Sequence, residues 1–119
     1  MMNIYTYKAI VTSVYDGDTL TVDIDLGFSV VLRNIKLRLL GIDTPELRGG
    51  TEITKSYARK ARDYVRKRCL GKEIYVQSHK KGKYGRYLAT IWHIENNEKS
   101  EKSINDLLLE NNLAKPYLK

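Results

Sequence analysis

One eight-residue stretch of the sequence limits the fold more than any other, because its polar and apolar residues alternate without a fault. Between Thr19 and Leu26 every second residue is Leu, Val or Ile, and each residue between them is Thr or Asp. Successive side chains of a β-strand point to opposite faces, so the pattern predicts a strand with one buried and one wet face. Such strands are typical of barrels and sandwiches, which require further strands to cover the apolar face.

Further strands are predicted on both sides of this stretch. The residues from about Tyr5 to Tyr15 are rich in Tyr, Val, Ile and Thr, which suit a pleated, half-buried surface. Asp16-Gly17-Asp18-Thr19 follows as a D-G turn signal of the kind that joins the two strands of a hairpin. The residues from Phe28 to Ile42 predict one long strand, or two short strands divided near Arg33-Asn34.

The third predicted strand carries a cation among apolar residues. Every second residue from Ile35 to Leu39 is apolar and shares one face, so Arg38 projects from the other face with Leu40 and Ile42 as neighbours. An arginine in that position costs free energy unless it is paired or meets a charged ligand. Arg38 is therefore a candidate functional residue.

The spacing of apolar residues changes to that of an amphipathic helix from Thr51 or Thr54 to Leu70. The apolar face contains Ile53, Tyr57, Ala58, Ala61, Tyr64, Val65 and Cys69. The opposite face carries Lys55, Arg59, Lys60, Arg62, Arg66, Lys67 and Arg68. We interpret the basic face mainly as a solvated surface and secondarily as one that attracts phosphate. Gly71 stands where a left-handed residue commonly ends a helix, and we expect Cys69 to be a small core residue rather than a nucleophile.

The last third of the chain predicts two strands, Lys72 to His79 and Tyr87 to Ile94, followed by a polar loop from Glu95 to Lys102. Ser103 and Asp106 have the spacing of a capping box, which predicts a second helix. The order of three strands, a helix, two strands and a helix is that of a five-stranded OB-fold barrel with flanking α-helices, a mainly β or α+β fold. We expect residues 1–119 to form a single domain.

Composition favours an anionic partner. The formal net charge is +7 and the pI is near 9.5, a balance that suits nucleic acid but also many inert proteins. One cysteine excludes an internal disulfide and a cysteine-cluster metal site. No run approaches the length of a membrane helix, and Met1 to Ile10 contains no apolar signal region. The sequence leaves the compartment open: cytoplasmic for the chain as given, or secreted if a leader was removed.

The stretch from Arg38 to Glu46 places unusual chemistry at the end of a strand. Pro45 fixes its own φ and holds Thr44 extended, so Asp43 and Glu46 occupy defined positions. If residues 43–46 form a β-turn, their Cα atoms lie within about 7 Å, close enough for both carboxylates to face one small volume. Two such charges resist joint ionisation unless a metal or an arginine compensates them. The alternative is a surface turn with an ordinary salt bridge.

Three motifs together resemble the staphylococcal nuclease, or thermonuclease, family. They are Asp16-Gly17-Asp18-Thr19, Arg38-Leu-Leu-Gly-Ile-Asp43-Thr44-Pro45-Glu46 and Lys83-Tyr84-Gly85-Arg86. Each motif falls at the expected strand end or hairpin, and the similarity covers nearly the whole chain. The family's fold is an OB barrel with flanking helices, which agrees with the order of elements above.

The resemblance implies a Ca²⁺-dependent endonuclease that hydrolyses phosphodiester bonds of DNA and RNA, prefers single strands and leaves 3′-phosphate ends. It implies that Asp18, Asp43 and the carbonyl of Thr44 ligate Ca²⁺, with Asp16 in the outer shell. Hard oxygen donors suit this ion. Glu46 matches the family's general base, and Arg38 and Arg86 match the pair that holds the scissile phosphate. Lys83 and Tyr84 match contacts to a neighbouring phosphate.

The sequence also departs from the family near its end. Leu118 holds the place of a tyrosine that lies against the nucleotide in the family, and Tyr117 precedes it by one residue. Two other functions remain open from the sequence: a non-catalytic OB-fold module that binds single-stranded nucleic acid, and a small basic protein that docks an acidic partner. We expect a monomer that acts on DNA and RNA and has no membrane partner.

Overall fold

The computed structural model describes residues 5–45, 50–81 and 85–117, which contain eight strands and two helices. In chain order these are β1 (Thr6–Asp16), β2 (Thr19–Asp25), β3 (Val31–Leu39), β4 (Ile42–Asp43), α1 (Glu52–Cys69), β5 (Glu73–Lys81), β6 (Tyr87–Glu95), β7 (Glu98–Lys99), α2 (Ile104–Glu110) and β8 (Lys115–Pro116). The predicted order of long strands and helices is confirmed, and the three two-residue strands β4, β7 and β8 are additions to it.

Five strands close into a barrel. Their order is β3-β2-β1-β5-β6, and a short parallel pairing of β3 with β6, from Leu37 opposite Tyr87 to Leu39 opposite Ala89, completes the ring. The interior is filled by inward-facing residues of all five strands and by one face of each helix, a core that includes Val11, Val22, Leu37, Leu39, Ile74, Ile91, Val65, Ile104 and Leu108. The predicted OB-type barrel with flanking helices is confirmed.

The third predicted strand is one strand with a bulge. Asn34 adopts a left-handed φ of 58°, and its N–H donates to Oδ1 of Asp23 across the hairpin at 3.0 Å. The alternation expected beyond Arg38 is wrong for Ile42, which is only 1% exposed. The turn at Leu40-Gly41, where Gly41 has φ +81°, shifts the register and returns Ile42 to the core while Arg38 stays on the outer face.

Helix α1 begins and ends close to the predicted positions. Thr51 caps it by accepting from the N–H of Thr54, and Gly71 follows the end with φ +74°. Its buried stripe is narrower than predicted, because Ile53 and Tyr57 are 71% and 52% exposed. Cys69 is fully buried, and this burial raises the pKa of its thiol to about 12, which confirms a core residue.

The chain after β6 contains more structure than the predicted polar loop. Asn96 and Asn97 both adopt left-handed conformations and form the tight turn that pairs β7 with β6. Ser103 then caps α2 by accepting from the N–H of Asp106, as its spacing predicted. β8 pairs with β4 in an antiparallel two-stranded sheet. No helix within the described residues is long and apolar enough to span a bilayer.

Candidate active site

The turn between β1 and β2 is pressed against helix α1. A Cβ added to Gly17 would lie 2.7 Å from the Cβ of Ala61 and 3.0 Å from Cγ2 of Thr44. Gly17 does not have a positive φ, so the glycine is required by this close approach and not by the turn conformation that a D-G signal usually indicates. The contact fixes the position of the two flanking carboxylates, Asp16 and Asp18, relative to the helix.

Asp18 is a buried carboxylate with a full set of donors around it. Its Oδ1 accepts from the hydroxyl of Thr19 at 3.0 Å, and its Oδ2 accepts from the N–H of Thr44 at 3.0 Å. The same Oδ2 lies 3.3 Å from Nη1 of Arg38, and the Asp18 side chain is only 9% exposed. The bond to Thr44 joins the β1–β2 turn to the segment after β4. Asp16, at the end of β1, is also buried.

Arg38 lies at the centre of the site and holds it together. Its Nη1 donates to the carbonyls of Leu39 at 3.0 Å and Ile42 at 2.7 Å, and its Nη2 lies 3.4 Å from Oδ1 of Asp43. The guanidinium therefore lies within ion-pair distance of both Asp18 and Asp43. Asp43 differs from Asp18 in being open to solvent, because its side chain is 46% exposed.

The carboxyl-terminal segment supports the site in a way that the sequence did not reveal. β8 pairs with β4, which sets Asp43 opposite Lys115, and the N–H of Tyr117 donates to the carbonyl of Gly41 at 2.9 Å. The ring of Tyr117 then lies 5.5 Å from the guanidinium carbon of Arg38. Arg38 is thus packed between two carboxylates and an aromatic ring.

Asn105 is a second supporting residue that sequence reasoning missed. It is 4% exposed; its Oδ1 accepts from the N–H of Ile91, and its Nδ2 donates to the carbonyls of Leu40 and Ala89. These bonds join α2, β6 and the turn that precedes β4. An asparagine in the first turn of a helix gives no pattern that would have indicated this role.

Arg86 lies directly before β6, the strand that closes the barrel against β3. Two residues later, Leu88 is paired with Arg38. Arg86 therefore lies one residue before the first pair of this parallel ladder, Leu37 opposite Tyr87. The structure therefore brings Arg38, Asp18, Asp43 and Thr44 together, and Arg86 directly precedes the strand that pairs with β3.

The donor chemistry of this cluster fits a hard divalent cation. Asp18 and Asp43 offer carboxylate oxygens near one guanidinium, and the hydroxyl of Thr44 is buried without a hydrogen-bond partner among the described residues. Within those same ranges no group of three or more His, Cys, Asp or Glu side chains forms a metal cage. The donors in this cluster are therefore oxygen atoms, the type that Ca²⁺ accepts.

The amino-acid sequence matches a family model described as staphylococcal nuclease homologue over residues 36–119, well over half of the chain. The chain belongs to the staphylococcal nuclease family. The thermonuclease of Staphylococcus hyicus is 34% identical over 92 residues, which cover 76% of this chain and 50% of that protein. The thermonuclease of Staphylococcus intermedius is 31% identical over 85 residues, covering 70% and 47%.

An uncharacterized protein of Methanocaldococcus jannaschii is 33% identical over 132 residues, covering 94% of this chain and 60% of that protein. The chain thus spans about half of the two thermonucleases and 60% of the archaeal protein. Membership of the staphylococcal nuclease family agrees with the barrel and helices described above. Four residues singled out from the sequence, Glu46, Lys83, Tyr84 and Leu118, lie outside the described residues.

Proposed function

We propose that the protein is a Ca²⁺-dependent nuclease that hydrolyses phosphodiester bonds of DNA and RNA, prefers single strands and leaves 3′-phosphate ends. One observation carries this proposal: the guanidinium of Arg38 lies 3.3 Å from Asp18 and 3.4 Å from Asp43 at one end of the barrel. Phosphodiester hydrolysis needs fixed positive charge for the phosphate oxygens and oxygen ligands for a divalent cation. This cluster offers both.

Arg38 is suited to stabilise the transition state because its position is set before a substrate binds. Two backbone carbonyls and two carboxylates hold its planar fork, so little reorganisation is needed when negative charge develops on the phosphate. Arg86, directly before the neighbouring strand β6, supplies the second guanidinium. Together they would bind the scissile phosphate from two sides.

Asp18, Asp43 and the carbonyl of Thr44 would hold Ca²⁺, with Asp16 in the outer shell. When bound, the ion neutralises charge on the phosphate and favours the attack of water. The hydrogen bond from the N–H of Thr44 to Asp18 holds the turn that carries Asp18 against the segment that carries Asp43 and Thr44. In the absence of the ion, the guanidinium of Arg38 offsets one of the two negative charges of Asp18 and Asp43.

The remaining roles rest on the family resemblance. Glu46 acts as the general base that removes a proton from the attacking water, after which the 5′-oxygen leaves and the phosphate stays on the 3′ side. Lys83 and Tyr84 contact a neighbouring phosphate of the bound strand. We expect the protein to work as a monomer.

One assay separates this proposal from its alternatives. The protein is incubated with denatured DNA in Ca²⁺ and again with a chelator, and the products are resolved on a gel. Cleavage that occurs with Ca²⁺ and not with the chelator supports the nuclease function. Retardation without cleavage in either condition would instead indicate a non-catalytic binding module. The absence of both cleavage and retardation would indicate a protein that docks an acidic partner. The 3′-phosphate is checked by the need for phosphatase before the products are extended at their 3′ ends.

The roles of the arginine and the acid are tested by substitution. Arg38→Ala is expected to lower kcat/KM by roughly a hundredfold or more, the cost of one oxyanion donor, and Arg38→Lys by nearly as much because it keeps the charge and loses the fork. Arg33→Ala is the matched control, since Arg33 is 72% exposed and pairs only with Asp23 among the described residues. Asp18→Asn should raise the Ca²⁺ requirement and reduce the Ca²⁺-induced rise in Tm. Wild-type rates for both Arg38 variants would refute the assigned role.

A further inference from the structure

Helix α1 carries most of the net charge of the chain. It contains seven Lys and Arg side chains and two carboxylates, a net charge of +5 out of +7. A helix with this excess attracts a polyanion, but charge alone does not say which one. The aromatic residues between the cations narrow the choice.

Two tyrosines on α1 each lie beside a cation of the same helix. The ammonium of Lys60 is 5.4 Å from the ring centre of Tyr57, and the guanidinium of Arg68 is 3.7 Å from that of Tyr64. At 100° per residue these four residues form one flank of the helix. Tyr64 is fixed further by its hydroxyl, which accepts a 3.4 Å hydrogen bond from Asn111. Alternating rings and cations of this kind suit a strand whose bases stack and whose phosphates need positive charge.

This flank is adjacent to the candidate active site. Ala61 packs on Gly17 and Thr44, and Tyr57 lies one helical turn before Ala61 on nearly the same face. Thr44 in turn donates its N–H to Asp18. Tyr57 is thus one helical turn from the residue that contacts this segment, and it is 52% exposed where the apolar pattern of the helix predicted burial. The exposed ring is available for a ligand.

We infer that Tyr57 and Lys60 form a subsite for single-stranded nucleic acid next to the catalytic site. Tyr57 stacks on an unpaired base and Lys60 meets the adjoining phosphate. The inference rests on the proposed nuclease function, because that function is the reason to expect a nucleic-acid strand at the neighbouring site. It adds a reason for a single-strand preference, because the bases of a duplex are already stacked and cannot reach the ring.

Binding is measured by fluorescence anisotropy with a labelled oligothymidylate of about 12 nucleotides and with a labelled duplex, both in chelator so that no cleavage occurs. Tyr57→Ala is expected to weaken oligothymidylate binding by between roughly fivefold and a hundredfold, the range for one base stack. Duplex binding should change less than about twofold. Tyr57→Phe keeps the ring and should bind like the wild type. Ile53→Ala is the control for loss of an exposed apolar side chain on the same helix.

The charge of Lys60 is tested by the salt dependence of the same binding. Lys60→Gln should reduce the slope of log K against log salt by about 0.7, the value for one phosphate contact of a single strand. Lys55→Gln removes the same charge about 140° away around the helix, on the opposite flank, and should leave the slope nearly unchanged. Equal effects of the two lysine variants, or equal loss of single-strand and duplex binding in Tyr57→Ala, would overturn the inference. These binding measurements are made in chelator and do not depend on cleavage. If the wild type failed to cleave DNA in Ca²⁺, that result would refute the nuclease function and would leave the binding result unchanged.

Discussion

The contact between Gly17 and helix α1 gives the sharpest test of how the fold positions the site. Gly17→Ala adds a methyl group 2.7 Å from the Cβ of Ala61, 3.1 Å from its carbonyl carbon and 3.0 Å from Cγ2 of Thr44. None of these neighbours is the free end of a long side chain, so the helix or the turn must move. Overpacking of this kind costs about 1–3 kcal/mol, and we expect Tm to fall by roughly 4–12 °C in a domain of this size.

A double-mutant cycle identifies the cause of that loss. Ala61→Gly alone should cost about 1 kcal/mol through helix propensity, but in the Gly17→Ala background it also removes the closest contact. The double variant should therefore lose less than the sum of the single variants, by about 1 kcal/mol. Relief will be partial, because Cγ2 of Thr44 and the backbone of Ala61 remain in the way.

The cycle is measured by urea unfolding followed by circular dichroism, with Gly27→Ala as the matched control. Gly27 has φ +80° and open space around its Cβ position, so its substitution is strained but cannot couple to Ala61. Additive effects of Gly17→Ala and Ala61→Gly, or no destabilisation by Gly17→Ala, would refute the reasoning. Because Thr44 is displaced together with its N–H, Gly17→Ala should also raise the Ca²⁺ concentration needed for cleavage.

Two further predictions concern the core and the supporting polar network. Burial raises the pKa of Cys69 from 9.0 to about 12, so the stability that comes from the neutral thiol is complete below pH 9.0 and is lost as the pH rises toward 12. The free energy of unfolding of the wild type should therefore fall more steeply with pH over this range than that of Cys69→Ala, by up to about 1.4 kcal/mol per pH unit, and parallel curves would contradict this. Asn105→Ala leaves the buried partners Ile91 N–H and the carbonyls of Leu40 and Ala89 short of a bond, which should cost about 2–5 kcal/mol in urea unfolding. The control Asn111→Ala, at the exposed residue that follows α2, should cost less than about 1 kcal/mol, and similar losses in the two variants would argue against the network.

The barrel could be predicted because its signals are local. The alternation that begins at Thr19 holds through Ile24 and fails only at Leu26, which is 37% exposed because β2 ends at Asp25. The helix caps at Thr51 and Ser103 were likewise visible as short motifs. Signals of this kind depend on residues close together in the chain, and the structure confirms them.

The support of the site could not be predicted because it is non-local. β4 and β8 are two residues long and carry no alternation, so their pairing leaves no trace in the sequence. The ring of Tyr117 over Arg38 and the three bonds of Asn105 join segments that lie far apart in the chain. Alternation along β3 predicts that Ile42 shares the face of Arg38. The turn at Gly41 changes this register, and Ile42 lies in the core.

The pairing of β4 with β8 has a consequence for the order in which the protein assembles during synthesis. The last barrel strand, β6, is complete at Glu95, whereas β8 begins at Lys115, about twenty residues later. A nascent chain can therefore pair its five barrel strands before β8, the partner of the strand that bears Asp43, has been synthesised. The contact of Tyr117 with Arg38 and the pairing of Asp43 with Lys115 therefore form last, after α2 has added Ile104 and Leu108 to the core.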